Sequence, residues 1–140
     1  MPDRVFIKKA TLQDVERLEA LAREIWTQHY APMIGEDHVN YMLVNFQSAK
    51  AIAQQILSGT IYYIAYDGNI PCGYSAIKPD PKGLFLSKLY VKEDYRGYGI
   101  ARMMMQSIRA FAIELRIDCI WLTCNKNNAG SLSAYQQLGF

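Results

Sequence analysis

Histidine, cysteine and unbalanced charge are all scarce in this chain. Only two histidines, His29 and His38, and three cysteines, Cys72, Cys119 and Cys124, occur among its 140 residues. The histidines have no cysteine near them, which is too sparse a set for a zinc site, so no metal is expected. The cysteines are odd in number and form no Cys-x-x-Cys pair; they read as reduced, mostly buried thiols. A net charge of only +2 gives no electrostatic case for nucleic acid or an anionic membrane as a partner. No apolar run reaches membrane-spanning length, and the opening "MPDRVFIKK" lacks the apolar stretch of a signal peptide. The cytoplasm is the expected compartment.

What is present is the composition of a folded domain, 51% hydrophobic and 20% charged, which argues against disorder. The length suits a single domain covering residues 1–140. "RVFIKKA" reads as a first strand. Thr11 is placed to cap a helix, with Asp14 in the position usually held by the Glu of a capping box. Leu12, Val15, Leu18, Leu21, Ala22 and Ile25 then recur at helical spacing, which predicts an amphipathic helix from residue 12 to about 27. "GEDHVNYMLVNF" and "SAKAIAQQILSG" predict two shorter helices, the second closed by Gly59. The pattern then switches to "TIYYIAY", a "DGN" turn and "IPCGYSAIK", an antiparallel hairpin with Pro71 and Gly73 near its start or at a bulge. "DPKG" turns the chain into the strand "LFLSKLYV". A helix follows from about Gly99 to Leu115, then "DCIWLTC", apolar enough for a central strand, and a last short helix in "AGSLSAYQQLGF". The fold class is α+β, mainly antiparallel, with one β-α-β unit that should form a parallel pair.

The join between strand and helix in that unit, "RGYGIARMMMQ", has two glycines where a capping side chain is usual. A helix start without a cap leaves N–H groups free beside the positive end of the helix dipole. Gly97 and Gly99 let those groups converge on an anion, and Arg96 adds a fixed charge, so a phosphate or diphosphate is the natural ligand. A Walker loop is excluded because Ile100-Ala101-Arg102 stands where Gly-Lys-Ser/Thr is needed. A dinucleotide fingerprint is excluded because Arg102 replaces its third glycine, and the preceding hairpin contradicts its parallel sheet.

Arg96-x-x-Gly99-x-Ala101 resembles the Gln/Arg-x-x-Gly-x-Gly/Ala signature of the GNAT superfamily of N-acetyltransferases. "LYVKEDYRGYGIARMMM" resembles that family's fourth strand, pyrophosphate loop and third helix, and "NKNNAGSLSAYQQLGF" its second motif. The resemblance implies a mixed, mainly antiparallel sheet flanked by helices, with a splayed parallel pair of strands at the cofactor site. It implies acetyl-CoA as co-substrate. Backbone groups of Leu89, Tyr90 and Val91 are then expected to bond the pantetheine arm; for Tyr90 the expectation concerns the backbone alone, an outward strand residue being the plain alternative. The pyrophosphate is expected on the N–H groups of Arg96, Gly97, Tyr98, Gly99, Ile100 and Ala101. Asn128 and Ser131 match the residues beside the arm, although Asn128 also suits the N-cap region of the last helix. Tyr135 matches the tyrosine that protonates the departing thiolate, for which a phenol of pKa about 10 is suited.

The acceptor half of the reaction is less legible. An alkylamine of pKa about 10.4 costs roughly 4.6 kcal/mol to deprotonate at pH 7, so something must take its proton. The family often uses a glutamate on the fourth strand, and "LFLSKLYV" has none. Glu24, His29, Glu36 and Asp37 are the candidates near the segment that borders the acceptor in the family, alongside a relay through water. Trp26, Tyr30, Met33, Tyr41 and Met42 in that segment suit either core or an aromatic lining for a cationic amine. The implied activity is acetyl transfer to an amine of a small molecule or peptide by direct attack in a ternary complex. The alternative is a non-catalytic acyl-CoA-binding sensor or interaction module of the same fold. Family members usually add about two strands after the Gly-Phe that ends here at Phe140. A shortened form is therefore expected, or a homodimer in which a second chain covers the edge of "DCIWLTC".

Overall fold

The computed structural model describes residues 4–123 and 135–140. Strand β1 (Val5–Lys9) is followed by helices α1 (Val15–Ile34), α2 (Glu36–Phe46) and α3 (Ala49–Leu57). Strands β2 (Ile61–Asp67), β3 (Ile70–Asp80) and β4 (Gly83–Val91) come next, then helix α4 (Ile100–Glu114) and strand β5 (Ile120–Trp121). The sheet runs in the order β1-β2-β3-β4-β5, antiparallel throughout except for the parallel β4–β5 pair. This is the α+β arrangement, flanked by helices, that the sequence predicts.

The start of α1 follows from its cap. Thr11 Oγ1 accepts from the Gln13 N–H at 3.2 Å, and the Thr11 N–H donates to the Asp14 carboxylate at 2.8 Å. Aspartate thus completes the reciprocal cap in place of glutamate. The first turn, Leu12–Asp14, is a 3-10 turn. The helix does not stop near residue 27 as its apolar spacing suggested; it continues through Pro32 to Ile34. Tyr30 and Ala31 pack against the core and hold the extra turn in place, and the Gly35 N–H closes it on the Ala31 carbonyl at 2.9 Å.

Each face of the sheet buries a different set of helices. Tyr62, Ile64, Tyr66, Tyr74 and Ala76 face Leu18, Leu21, Ala22 and Ile25 of α1. Tyr63, Ile77, Leu84 and Leu86 face Met105, Ile108 and Ala112 of α4. Strand β4 changes phase part way along. Ala76 of β3 pairs with Lys88 and Ile77 with Leu86, which leaves Ser87 as the extra residue of a bulge, its Oγ donating to the Ala76 carbonyl at 3.2 Å. Leu84 and Leu86 therefore lie on the α4 face, whereas Tyr90 packs on the α1 face. Across the other hairpin strand, β2 and β3 have their own irregularity: Ala65 pairs with Gly73 and Tyr66 with Pro71, so Cys72 is the extra residue between the predicted Pro71 and Gly73.

The parallel pairing is brief. Leu84 pairs with Ile120 and Phe85 with Trp121, and among the described residues the ladder ends there while β4 runs on to Val91. The described strand, Ile120–Trp121, is shorter than the segment "DCIWLTC". Among the described residues β5 is an edge strand paired only with β4. The far end of β4 therefore has backbone groups on its β5 side with no strand beside them among the described residues, and there the site forms.

Candidate active site

The site is built on the turn from β4 into α4. After Val91 the chain makes a 3-10 turn, Glu93–Tyr95, which three contacts hold in place. The Lys92 ammonium pairs with Glu24 of α1 at 2.9 Å, the Lys92 N–H donates to the Cys72 carbonyl at 2.8 Å, and the Tyr95 hydroxyl donates to Asp67 of β2 at 2.9 Å. The loop is thereby fixed to α1, β3 and β2 at once. Gly97 and Gly99 follow with φ of 86° and 78°, the left-handed region where glycine is favoured. Gly99 is the cap residue of α4, and no side chain caps the helix. The first helical bond runs from the Met103 N–H to the Gly99 carbonyl at 3.0 Å. The N–H groups of Ile100, Ala101 and Arg102 therefore have no acceptor within the helix.

A cavity of about 510 Å³ opens over these groups. Its walls include Leu89, Tyr90 and Val91 from the end of β4, Arg96, Gly97, Gly99, Ile100 and Ala101 from the turn, and Tyr135. These come from three separate stretches of the sequence. Tyr98 is not part of the lining, and its side chain is 47% exposed. The Arg96 N–H is also committed, donating to the Glu93 carbonyl at 3.2 Å, and Arg96 Nε donates to the Val91 carbonyl at 3.3 Å, so that residue offers the outer nitrogens of its guanidinium. Asn128 and Ser131 lie outside the described residues. His29, Tyr30, Tyr95 and Arg102 complete much of the lining. Three N–H groups without a partner in the helix, a helix start and two guanidinium groups form a donor set that fits a diphosphate.

Tyr135 is held from the other side. Residues 135–137 are helical, and the Tyr135 carbonyl accepts from the N–H groups of Leu138 and Phe140, each at 3.1 Å. Arg109 of α4 donates to the Leu138 carbonyl. Helix α4 thus carries the glycine turn at its start and, through Arg109, holds the tyrosine segment along its length.

The Tyr90 side chain does not point outward, which was the plain alternative for a strand residue there. The Ser87 bulge turns it into an aromatic cluster, with ring centroids 5.3 Å from Tyr74, 5.8 Å from Trp26 and 6.5 Å from Tyr30. Burial, and then the neighbouring phenols of Tyr30 and Tyr135, raise its hydroxyl well above the ordinary tyrosine range, so it stays protonated. Of the aromatic and methionine residues weighed for the acceptor lining, only Tyr30 reaches the cavity. Trp26 and Met42 pack in the core, and Met33 and Tyr41 are exposed on the surface.

Lys88 was not singled out by sequence, because nothing local marks it. It follows the bulge, and its ammonium donates to the Phe46 carbonyl and to Gln55 Oε1, both at 3.0 Å, and to the Tyr62 hydroxyl. Burial lowers its pKa to about 7.

Comparison with known proteins agrees with this geometry. The family model described as acetyltransferase (GNAT) family matches residues 18–140. An uncharacterized N-acetyltransferase of Mycobacterium tuberculosis is 28% identical over 133 residues, covering 92% of this chain and 84% of that protein. The crystal structure of the PaiA N-acetyltransferase from Thermoplasma acidophilum in complex with coenzyme A superposes with a TM-score of 0.88 at 21% identity, over 97% of this chain and 89% of that one. An aminoglycoside acetyltransferase from an uncultured soil metagenomic sample, in complex with sisomicin, gives a TM-score of 0.70 at 10% identity, over 99% and 89%. These structural likenesses concern the fold.

Proposed function

The chain belongs to the acetyltransferase (GNAT) family, and from that premise we propose that it transfers the acetyl group of acetyl-CoA to an amine of a small molecule or peptide by direct attack in a ternary complex. The observation that carries this reading is the meeting of the α4 start, the end of β4 and Tyr135 in one cavity. In this reading the coenzyme diphosphate takes the free N–H groups at the α4 start and the guanidinium of Arg96. Backbone groups of Leu89, Tyr90 and Val91 bond the pantetheine arm where β5 no longer pairs with β4. One of their N–H groups stabilises the oxygen on which negative charge develops. Tyr135 then donates its phenolic proton to the departing thiolate. The coenzyme A bound to the Thermoplasma neighbour supports the choice of cofactor, and the sisomicin bound to the soil enzyme supports an amine acceptor.

The test pairs calorimetry of CoA binding with thiol release from acetyl-CoA over a panel of polyamines, amino acids, aminoglycosides and peptides. The expected result is CoA binding together with thiol release for at least one class. Tight CoA binding without thiol release across the panel would favour the sensor or interaction module. No CoA binding would overturn both.

A further inference from the structure

Resting on the acetyl-transfer reading, we propose that His29 is the general base that takes the proton of the acceptor amine. Of the four candidate bases in the α1–α2 segment, His29 alone lines the cavity that holds Tyr135. Glu24 is paired with Lys92 at 2.9 Å. Glu36 and Asp37 sit in the first turn of α2, outside the cavity lining. Among the described residues, no carboxylate lines the cavity. Its arginines, Arg96 and Arg102, remain charged and cannot accept a proton, and its phenols carry theirs at neutral pH.

Among the described residues, the charged and titratable groups around His29 are Tyr30 on its own helix, Glu93 and Arg96 on the turn, Arg102 on α4, and Tyr90, Tyr95 and Tyr135 across the cavity. The Tyr30 ring meets the imidazole edge-on at 4.6 Å and fixes its plane. Partial burial and then the Arg96 charge lower the imidazole pKa from the ordinary histidine value, against a weaker opposing effect from Glu93. It is therefore neutral at pH 7. Its outer edge reaches solvent, so a captured proton can leave.

The step balances. The acceptor ammonium gives one proton to the imidazole, and the freed lone pair forms the C–N bond to the thioester carbon as the C=O electrons move to oxygen. Collapse re-forms C=O and breaks C–S, and the thiolate takes the Tyr135 proton. The phenolate recovers a proton from the new amide nitrogen, and the imidazolium releases its own to water.

The experiment compares the wild-type chain with His29→Gln and His29→Ala. Thiol release from acetyl-CoA is followed from about pH 5 to 9, spanning the histidine range, with spermidine, kanamycin, lysine and a dipeptide as acceptors. CoA affinity is measured by calorimetry. The imidazole is titrated by proton NMR in the wild type, its signal assigned by its loss in His29→Gln. We expect an NMR midpoint below about 6.5, a roughly 10²–10⁴-fold loss of kcat/KM in His29→Gln, and loss of the acid limb of its pH profile. Added imidazole should restore part of the activity of His29→Ala, with CoA affinity unchanged in both variants. An NMR midpoint above the reference value, an unaltered kcat/KM and acid limb, or a loss of CoA affinity in His29→Gln each overturns the assignment while leaving the acetyl-transfer reading standing. A wild-type chain that binds CoA but releases no thiol overturns that reading and the base with it.

Discussion

Ring and backbone contacts help to place Tyr135. Its ring lies T-shaped against Phe140 at 6.1 Å, and its carbonyl closes the turn through Leu138 and Phe140. Tyr135→Phe therefore keeps the packing and removes only the acid. Turnover should fall about 10²–10⁴-fold with CoA affinity and melting temperature little changed. Turnover equal to the wild type would mean that the thiolate leaves unaided. At this scale the sequence was legible where a motif fixes spacing, and Tyr135 and the Arg96–Ala101 turn were found that way. It was not legible where a side chain's direction depends on a neighbouring strand. The sequence supports a backbone role alone for Tyr90, because strict alternation along β4 would set its side chain on the face of Leu84 and Leu86 and says nothing of a bulge. The extra residue, Ser87, is defined only by its pairing with β3. The same reason hid the choice among four candidate bases, which depends on which of them the fold brings to the cavity.

The turn and helix that follow β4 make a different kind of test possible. A Cβ added at Gly99 would meet nothing within 4 Å, so the chain itself leaves room there. What a substitution faces is the left-handed φ of 78° and, in the proposed complex, the diphosphate. Asn tolerates that conformation far better than a β-branched residue. Gly99→Asn should therefore fold nearly as well as the wild type and still bind CoA much more weakly, whereas Gly99→Val should lose stability as well. A folded Gly99→Asn with wild-type CoA affinity by calorimetry would remove the diphosphate from this turn. The parallel pair can be tested at its other end. Gly83 has φ 135°, and a Cβ there would lie 2.2 Å from the Cys119 carbonyl oxygen, the group that accepts the Leu84 N–H at 2.8 Å. Gly83→Ala must push β5 from β4, and urea denaturation should show a loss of about 1–3 kcal/mol from the broken bond and strain. An unchanged midpoint would mean that the β4–β5 junction adjusts freely. Most elements were legible because their apolar periods are unambiguous. The overrun of α1 through Pro32 was not, since it depends on Tyr30 and Ala31 finding the core, and the brevity of the described β5 was not, since apolar content does not report pairing.

Over the whole molecule, Lys88 connects elements that are far apart in sequence. From β4 it reaches the last residue of α2 through the Phe46 carbonyl, α3 through Gln55 and β2 through Tyr62, whose hydroxyl also donates to Gln55. The Phe46 carbonyl is at the negative end of the α2 dipole, a favourable place for a cation. Burial opposes this and brings the pKa from 10.5 to about 7. Between those two values the unfolded chain holds a proton on Lys88 that the folded chain has released. Stability from this group must then rise with pH: complete above the unfolded pKa, it is lost as pH falls towards about 7 and changes little further below. The slope can be no steeper than about 1.4 kcal/mol per pH unit. The buried phenols act in the opposite direction but at higher pH. Tyr62, Tyr63, Tyr74 and Tyr90 have raised pKa values, so they stabilise below the ordinary phenol range and lose that contribution as pH climbs through it. Urea midpoints are therefore taken between about pH 7 and 9; burial raises the Cys72 thiol to about 11 and opposes the lysine there, so the lysine is read from the difference between the wild type and Lys88→Met. Lys88→Met keeps the stem but cannot titrate, so the stability of the wild type relative to Lys88→Met should rise across that window whatever the two values at pH 7. Parallel slopes in the two proteins would show that the three acceptors keep Lys88 charged throughout, and that its role is to pin α2 and α3 to the sheet as an ammonium.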